Sequence, residues 1–149
     1  MAKILIAGDF CPQLRVANFI EKNDDSTVIF NEIQSIVKNA DYSIVNLECP
    51  VVLGEEARPI KKIGPHLRCD EKTIKLIKSL GFEMITLANN HIYDYGEIGI
   101  KDTLEVCKNY GITTVGAGVN LEQAKKNVSH EIKGKCFSFI NCCEHEFSI

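Results

Sequence analysis

Four short stretches of this chain carry residues able to do chemistry. Asp9 closes one apolar run, and Asn46 and Glu48 close a second. Asn89, Asn90, His91 and Asp94 follow a third, and Asn141, Glu144 and His145 follow the last. Two carboxylates, an amide oxygen and imidazoles together suit a divalent cation of the manganese, iron or zinc type. Oxygens alone would suit magnesium or calcium better. Taken singly, each residue has a plainer reading. Gly8-Asp9 is an ordinary turn, Glu48 a surface partner for Lys61 or Arg68, Asn90 a turn residue bonding its own backbone, and His91 a satisfied core histidine. Their joint occurrence at the ends of apolar runs is what points to a site.

The elements that must position them follow from hydrophobic period. Residues 3–7 are apolar and branched and end in Gly8-Asp9, which predicts a buried strand. Residues 42–48 predict a second, with Asn46 and Glu48 on one face and Val45 and Leu47 on the other. Residues 82–87 and 112–115 predict two more. Residues 10–25 show weak helical spacing at Val16, Phe19 and Ile20, and 27–30 read as a short strand or a lead-in. Asn31 is the expected cap of a helix whose apolar positions are Ile33, Ile36 and Val37. Asp70 caps a second helix with Ile74, Ile77 and Leu80 inward, and Gly81 closes it. Helices over 97–110 and 121–127 follow, then strands 129–132 and 136–141 joined at Lys133-Gly134. Strands alternating with helices predict an α/β fold of parallel βαβ layers with flanking helices, in one domain over 1–149. In such a sheet the ligand site lies outside the carboxyl ends of the strands, where the polar residues above fall.

Two further segments bear on function. The loop 49–69 has three of the four prolines and no sustained period, and loops of that length in a compact domain are usually functional or disordered. Its second half is basic. Arg58, Lys61, Lys62, His66 and Arg68 stand against Glu55 and Glu56, which reads either as a cover for a carboxylate- or phosphate-bearing substrate or as a solvated charge run. Gly116-Ala117-Gly118 before a helix offers either backbone N–H groups to an anion or, the better fit for so short a motif, a tightly packed turn.

Composition narrows the classes. With 149 residues, 45% apolar and 25% charged, the chain is that of a globular domain and not a disordered one. A net charge of −3 gives no general drive toward nucleic acid. No apolar run approaches the ~20 residues of a membrane span, and residues 4–7 are too few for a signal-peptide core. Seven cysteines without a metal-ribbon spacing predict reduced thiols and a cytoplasmic protein, with the adjacent Cys142 and Cys143 exposed to oxidation.

Read in order, Ala7-Gly8-Asp9-Phe10, Val45-Asn46-Leu47-Glu48-Cys49-Pro50, Leu87-Ala88-Asn89-Asn90-His91-Ile92-Tyr93-Asp94-Tyr95-Gly96 and Gly116-Ala117-Gly118-Val119-Asn120 resemble the bacterial capsule synthesis proteins of the CapA type. These act in poly-γ-glutamate biosynthesis and form a branch of the calcineurin-like metallophosphoesterases. The loop pieces Arg58-Pro59-Ile60-Lys61-Lys62 and Gly64-Pro65 extend the likeness, which covers about residues 3–125. The resemblance implies half of a calcineurin-like sandwich and a site for one or two divalent metals (manganese, iron or zinc). Asp9 would be a first-metal ligand, Glu48 a bridging carboxylate and Asn90 a second-metal ligand. His91 would be the catalytic proton donor at the leaving group. Asn46, Arg58, Lys61, Lys62, Asn89 and Asp94 would contact an anionic peptide polymer or a phosphoester.

Two departures qualify it. Cys11 stands where ordinary members of the wider superfamily have a histidine. Family members also run much longer, and the histidines that complete their metal site lie beyond the part matched here, so the chain reads as an N-terminal half, with His145 a weak substitute and His130 a surface residue. Three accounts stay open. They are a metal-dependent hydrolase or transferase, a non-catalytic anionic-polymer-binding module or inactive fragment with no metal bound, and a piece that self-associates through an exposed sheet.

Overall fold

A computed structural model describes residues 1–23 and 25–144. Its centre is a four-stranded, all-parallel sheet in the order β1 (Ile4–Phe10), β2 (Tyr42–Leu47), β3 (Met84–Thr86), β4 (Thr113–Val115). The helices α1 (Arg15–Lys22), α2 (Asn31–Lys38), α3 (Glu71–Leu80), α4 (Gly96–Asn109) and α5 (Leu121–Ala124) lie in the connections between strands or after β4. A hairpin of β5 (Val128–Ile132) and β6 (Lys135–Phe139) ends the described chain. The expected α/β architecture of a parallel sheet with flanking helices is what the chain adopts, and it agrees with part of a calcineurin-like sandwich.

The two faces of the sheet explain the layering. Val45, Leu47, Ile85 and Leu87 point one way, into a cluster with Ile20, Val37, Ile74, Ile77, Leu80 and Val106 from the helices. Tyr42, Ile44, Met84 and Val115 point the other way, onto Ile132, Val128, Phe137 and Phe139 of the hairpin. Because β2 and β3 are covered on both sides, they read as nearly unbroken apolar runs, as central parallel strands must.

Helix ends follow local chemistry. The Asp70 carboxylate accepts from the Lys72 N–H at 2.7 Å and Gly81 takes φ 105°, so α3 begins and stops where the sequence says. Lys133 and Gly134 both adopt positive φ in the two-residue hairpin turn.

Several boundaries differ from expectation. Residues 27–30 are a single 3₁₀ turn rather than a strand, and α5 is four residues long. In α2 only Val37 is buried, while Ile33 and Ile36 remain 48% and 59% exposed. Asn31 is the first helical residue there and caps nothing with its side chain. The helix therefore rests on the core by one edge.

The feature of most consequence is a bulge in β1. Ile6 pairs with Ile44, yet Asp9, not Gly8, pairs with Asn46. One extra residue on β1 turns its end and re-aims the side chains that follow. Gly8 sits inside the bulge, as a strand glycine often does.

Candidate functional site

The bulge brings Asp9 to Asn46. The Asn46 amide donates to Asp9 Oδ1 at 2.7 Å, while Asn46 Oδ1 accepts from Thr86 Oγ1 at 3.1 Å and from Asn89 Nδ2 at 3.4 Å. A polar chain thus runs across the carboxyl ends of β1, β2 and β3 and into the turn beyond. Asp9 is exposed at its outer end, and Glu48, half-buried, follows directly on β2 with its N–H bonded to the Phe10 carbonyl at 3.3 Å. Among the described residues Glu48 forms no ion pair, so the surface pairing with Lys61 or Arg68 is not made.

Asn89 organises the turn after β3. Its Oδ1 accepts from the N–H groups of both His91 and Ile92 at 3.0 Å, and its Nδ2 donates to the Leu47 carbonyl at 2.8 Å. The self-capping role expected of Asn90 therefore belongs to Asn89, whose amide is committed to the main chain. Asn90 and His91 are half-buried and follow at once on that anchored turn.

His91 is held by Asp94. The imidazole Nδ1 lies 2.8 Å from Asp94 Oδ2, which also accepts from the Leu67 N–H at 2.7 Å; Asp94 Oδ1 takes a hydrogen bond from Lys62 Nζ. The Asp94 side chain has no exposed surface, and those of Lys62 and His91 keep 11% and 12%. Burial works against the Asp94 charge. The hydrogen bonds from Lys62, His91 and the Leu67 backbone outweigh it and hold the carboxyl below its usual range. Asp94 and Lys62, read from the sequence as substrate contacts, are here engaged with each other.

The loop 49–69 is strapped down rather than free. Val51 and Cys69 form a bridge at its base, the Val51 N–H donates to Thr103 Oγ1 at 2.8 Å, the Ile60 N–H donates to the Asp94 carbonyl at 3.0 Å, and His66 Nε2 meets the Ile60 carbonyl at 2.7 Å. Arg58, Lys61 and Arg68 are its exposed cations, Arg58 bonding the Glu55 carbonyl at 2.6 Å. Arg68 lies over the Tyr95 ring at 5.9 Å.

Sequence reasoning had no role for Asn141 beyond its position after the last strand, and it did not single out Thr86. Asn141 Oδ1 accepts from the N–H groups of Leu87 at 3.0 Å and Ala88 at 2.6 Å, which fastens the end of the hairpin to the end of β3. Gly116, at φ 97°, makes room for it. The glycine pair before α5 is thus a packing device. His145 lies outside the described residues, and His130 is exposed, its ring tilted against Tyr42 at 4.7 Å between ring centres.

A family model described as "Bacterial capsule synthesis protein PGA_cap" matches residues 3–148. The chain belongs to this family. It is 38% identical over 108 residues to "Capsule biosynthesis protein CapA" of Bacillus anthracis, a match covering 71% of this chain and 26% of that relative. It is 30% identical over 130 residues to "PGA biosynthesis protein CapA" of Bacillus subtilis strain 168, covering 85% of this chain and 34% of the relative. A "Probable polyglutamine synthesis accessory protein" of Mycobacterium tuberculosis matches at 30% over 108 residues, 68% of this chain and 28% of its own length. The chain spans about a third or less of the curated relatives it matches.

The metal donors of this PGA_cap chain form an incomplete set among the described residues. Asp9, Glu48 and Asn90 lie at or just beyond neighbouring strand ends, but among the described residues no three His, Cys, Asp or Glu side chains converge so as to hold an ion. A divalent site of the manganese, iron or zinc type needs at least four donors. The described residues supply part of such a set and do not close it. Cys11 lies beside Cys49; the donation of its S–H to that sulfur, then burial, push the Cys11 thiol well above its ordinary value. Among the described residues no helix is long and apolar enough to cross a membrane.

Proposed function

We propose that this chain contributes the proton-transfer half of a site acting on an anionic γ-linked peptide polymer in capsule or poly-γ-glutamate biosynthesis. The observation that supports this most is the imidazole of His91, held by a buried carboxylate next to the polar chain Asp9–Asn46–Asn89. Cleaving an amide requires that the departing nitrogen receive a proton as its bond to the carbonyl carbon breaks. As imidazolium, His91 gives that proton from Nε2 and is left as the neutral ring whose Nδ1–H stays on Asp94. The acyl group passes to water in a hydrolase or to an acceptor amine or hydroxyl in a transferase. Asp9, Glu48 and Asn90 are the residues through which this chain would share a manganese, iron or zinc ion, whose contribution would be charge stabilisation at the carbonyl oxygen. Further donors would have to come from outside the described residues. Arg58 and Lys61 are suited to hold the polymer's side carboxylates.

A direct test compares wild-type protein and His91→Gln for shortening or transfer of purified poly-γ-glutamate in the presence of Mn²⁺. Glutamine preserves a hydrogen-bonding amide but carries no transferable proton, so the rate should fall by about 10²-fold or more. Unchanged turnover in His91→Gln refutes the reading.

The second reading, a polymer-binding module without catalysis, is favoured by one observation: among the described residues the donors do not close around an ion. Under it, polymer binding survives Asp9→Ala and Glu48→Ala, no metal co-purifies, and Arg58→Ala with Lys61→Ala weakens binding.

A further inference from the structure

We infer that Asp94 is the positioning residue of this site: its buried carboxylate fixes His91 in the Nδ1–H tautomer and reserves Nε2 for chemistry, while the same two oxygens hold Lys62 and Leu67 of the 49–69 loop. The inference rests on His91 being the group that carries the proton, and it assigns Asp94 a role other than contact with substrate.

The tautomer follows from counting donors and acceptors. Asp94 Oδ2 stands 2.8 Å from His91 Nδ1 and 2.7 Å from the Leu67 nitrogen, and Lys62 Nζ bonds Oδ1. Were Nδ1 unprotonated, its lone pair would face, at 2.8 Å, an oxygen of a carboxylate that has no exposed surface. Lys62 Nζ also lies 3.2 Å from Nδ1, and in that alternative it could donate to the ring. It would still leave the closer carboxylate contact repulsive. With Nδ1 protonated, the imidazole, Lys62 and the Leu67 N–H all donate to one anion. Among the described residues Nε2 has no hydrogen-bond partner.

The same carboxylate organises the strap. Leu67 and Lys62 reach its side chain, and the Ile60 N–H bonds the Asp94 carbonyl at 3.0 Å. Three points along 60–67 are thereby fixed by one residue of the turn that bears His91.

The test is the ¹⁵N spectrum of ¹⁵N-histidine-labelled protein, recorded where the rings are neutral, with His91→Gln assigning the His91 signals among the four histidines. Wild type should show Nδ1 protonated. In Asp94→Asn the side-chain amide can turn an N–H toward Nδ1, and the tautomer ratio should move toward Nε2–H by about tenfold or more. Lys62→Met leaves the Asp94–His91 bond in place and should keep the wild-type tautomer, so it decides the matter even if Asp94→Asn does not fold. An Nε2–H signal in wild type, a wild-type ratio in folded Asp94→Asn, or a reversed ratio in Lys62→Met each overturns the inference. If His91 keeps the Nδ1–H form under Asp94 control while His91→Gln still turns over polymer, the positioning role stands and the proposed function fails.

Discussion

Replacing Asn141 should loosen the site without touching any of its charged groups. Asn141 Oδ1 accepts from two backbone donors at the end of β3, but the two losses are unequal. The Leu87 N–H also donates to the Val115 carbonyl at 2.9 Å within the sheet and keeps that partner when Asn141 is truncated. The Ala88 N–H, bonded at 2.6 Å, has no other acceptor among the described residues. Asn141→Ala therefore orphans one donor, a cost of about 1–3 kcal/mol, toward the lower end because Asn141 is only half-buried and water can reach the gap. For a chain of this size that is a fall of roughly 2–6 °C in melting temperature. Asn141→Asp keeps an acceptor oxygen in the same place and should lose much less. Urea titration of wild type and both variants measures the difference. Equal destabilisation by Ala and Asp would show that the Oδ1 acceptor is not what holds the hairpin to β3.

Two other outcomes follow. Gly116→Ala should destabilise by more than Asn141→Ala, because a methyl group there meets Asn141 Oδ1 and comes within 2.8 Å of the Ala88 nitrogen while φ stays at 97°; combining it with Asn141→Ala should recover part of the loss, read by the same titration. Stability should also fall in acid through Asp94. Its folded-state carboxyl titrates lower than in the unfolded chain, so its contribution is present above about pH 4 and disappears as pH drops through the folded value. Melting curves from pH 6 downward should show a shallower decline in Asp94→Asn than in wild type, and parallel curves would contradict this assignment.

What the sequence made legible were features with a local cause. The Asp70 cap, the Gly81 stop and the polar strand ends each follow from residues within a turn or a strand of one another, and the parallel sheet from strands that alternate with helices. The misjudged features depend on partners distant in the chain. Ile33 and Ile36 satisfy a helical period, yet whether that face is covered depends on the sheet and on α3, which reach only Val37. Lys62 lies among basic residues and so reads as a surface charge, but its partner, Asp94, is 32 residues away in the turn after β3. Asn89 and Asn90 are indistinguishable by type; which one caps the turn is decided by the Leu47 carbonyl across the sheet.

The β1 bulge shows how one local irregularity sets the geometry of the whole site. In a regular parallel pair, Gly8 would stand opposite Asn46, and Asp9 would face the other side of the sheet. The extra residue reverses that parity and places the Asp9 carboxylate 2.7 Å from the Asn46 amide. Asn46 Oδ1 is then left to accept from Thr86 and Asn89, and Asn89 in turn fixes the N–H groups of His91 and Ile92. Position, charge and orientation at the strand ends are therefore linked through a single chain of amides that starts at the bulge. A strand period of two, applied uniformly, would aim Asp9 away from its neighbours, which is why the residue types pointed to a shared site while the alternation alone did not.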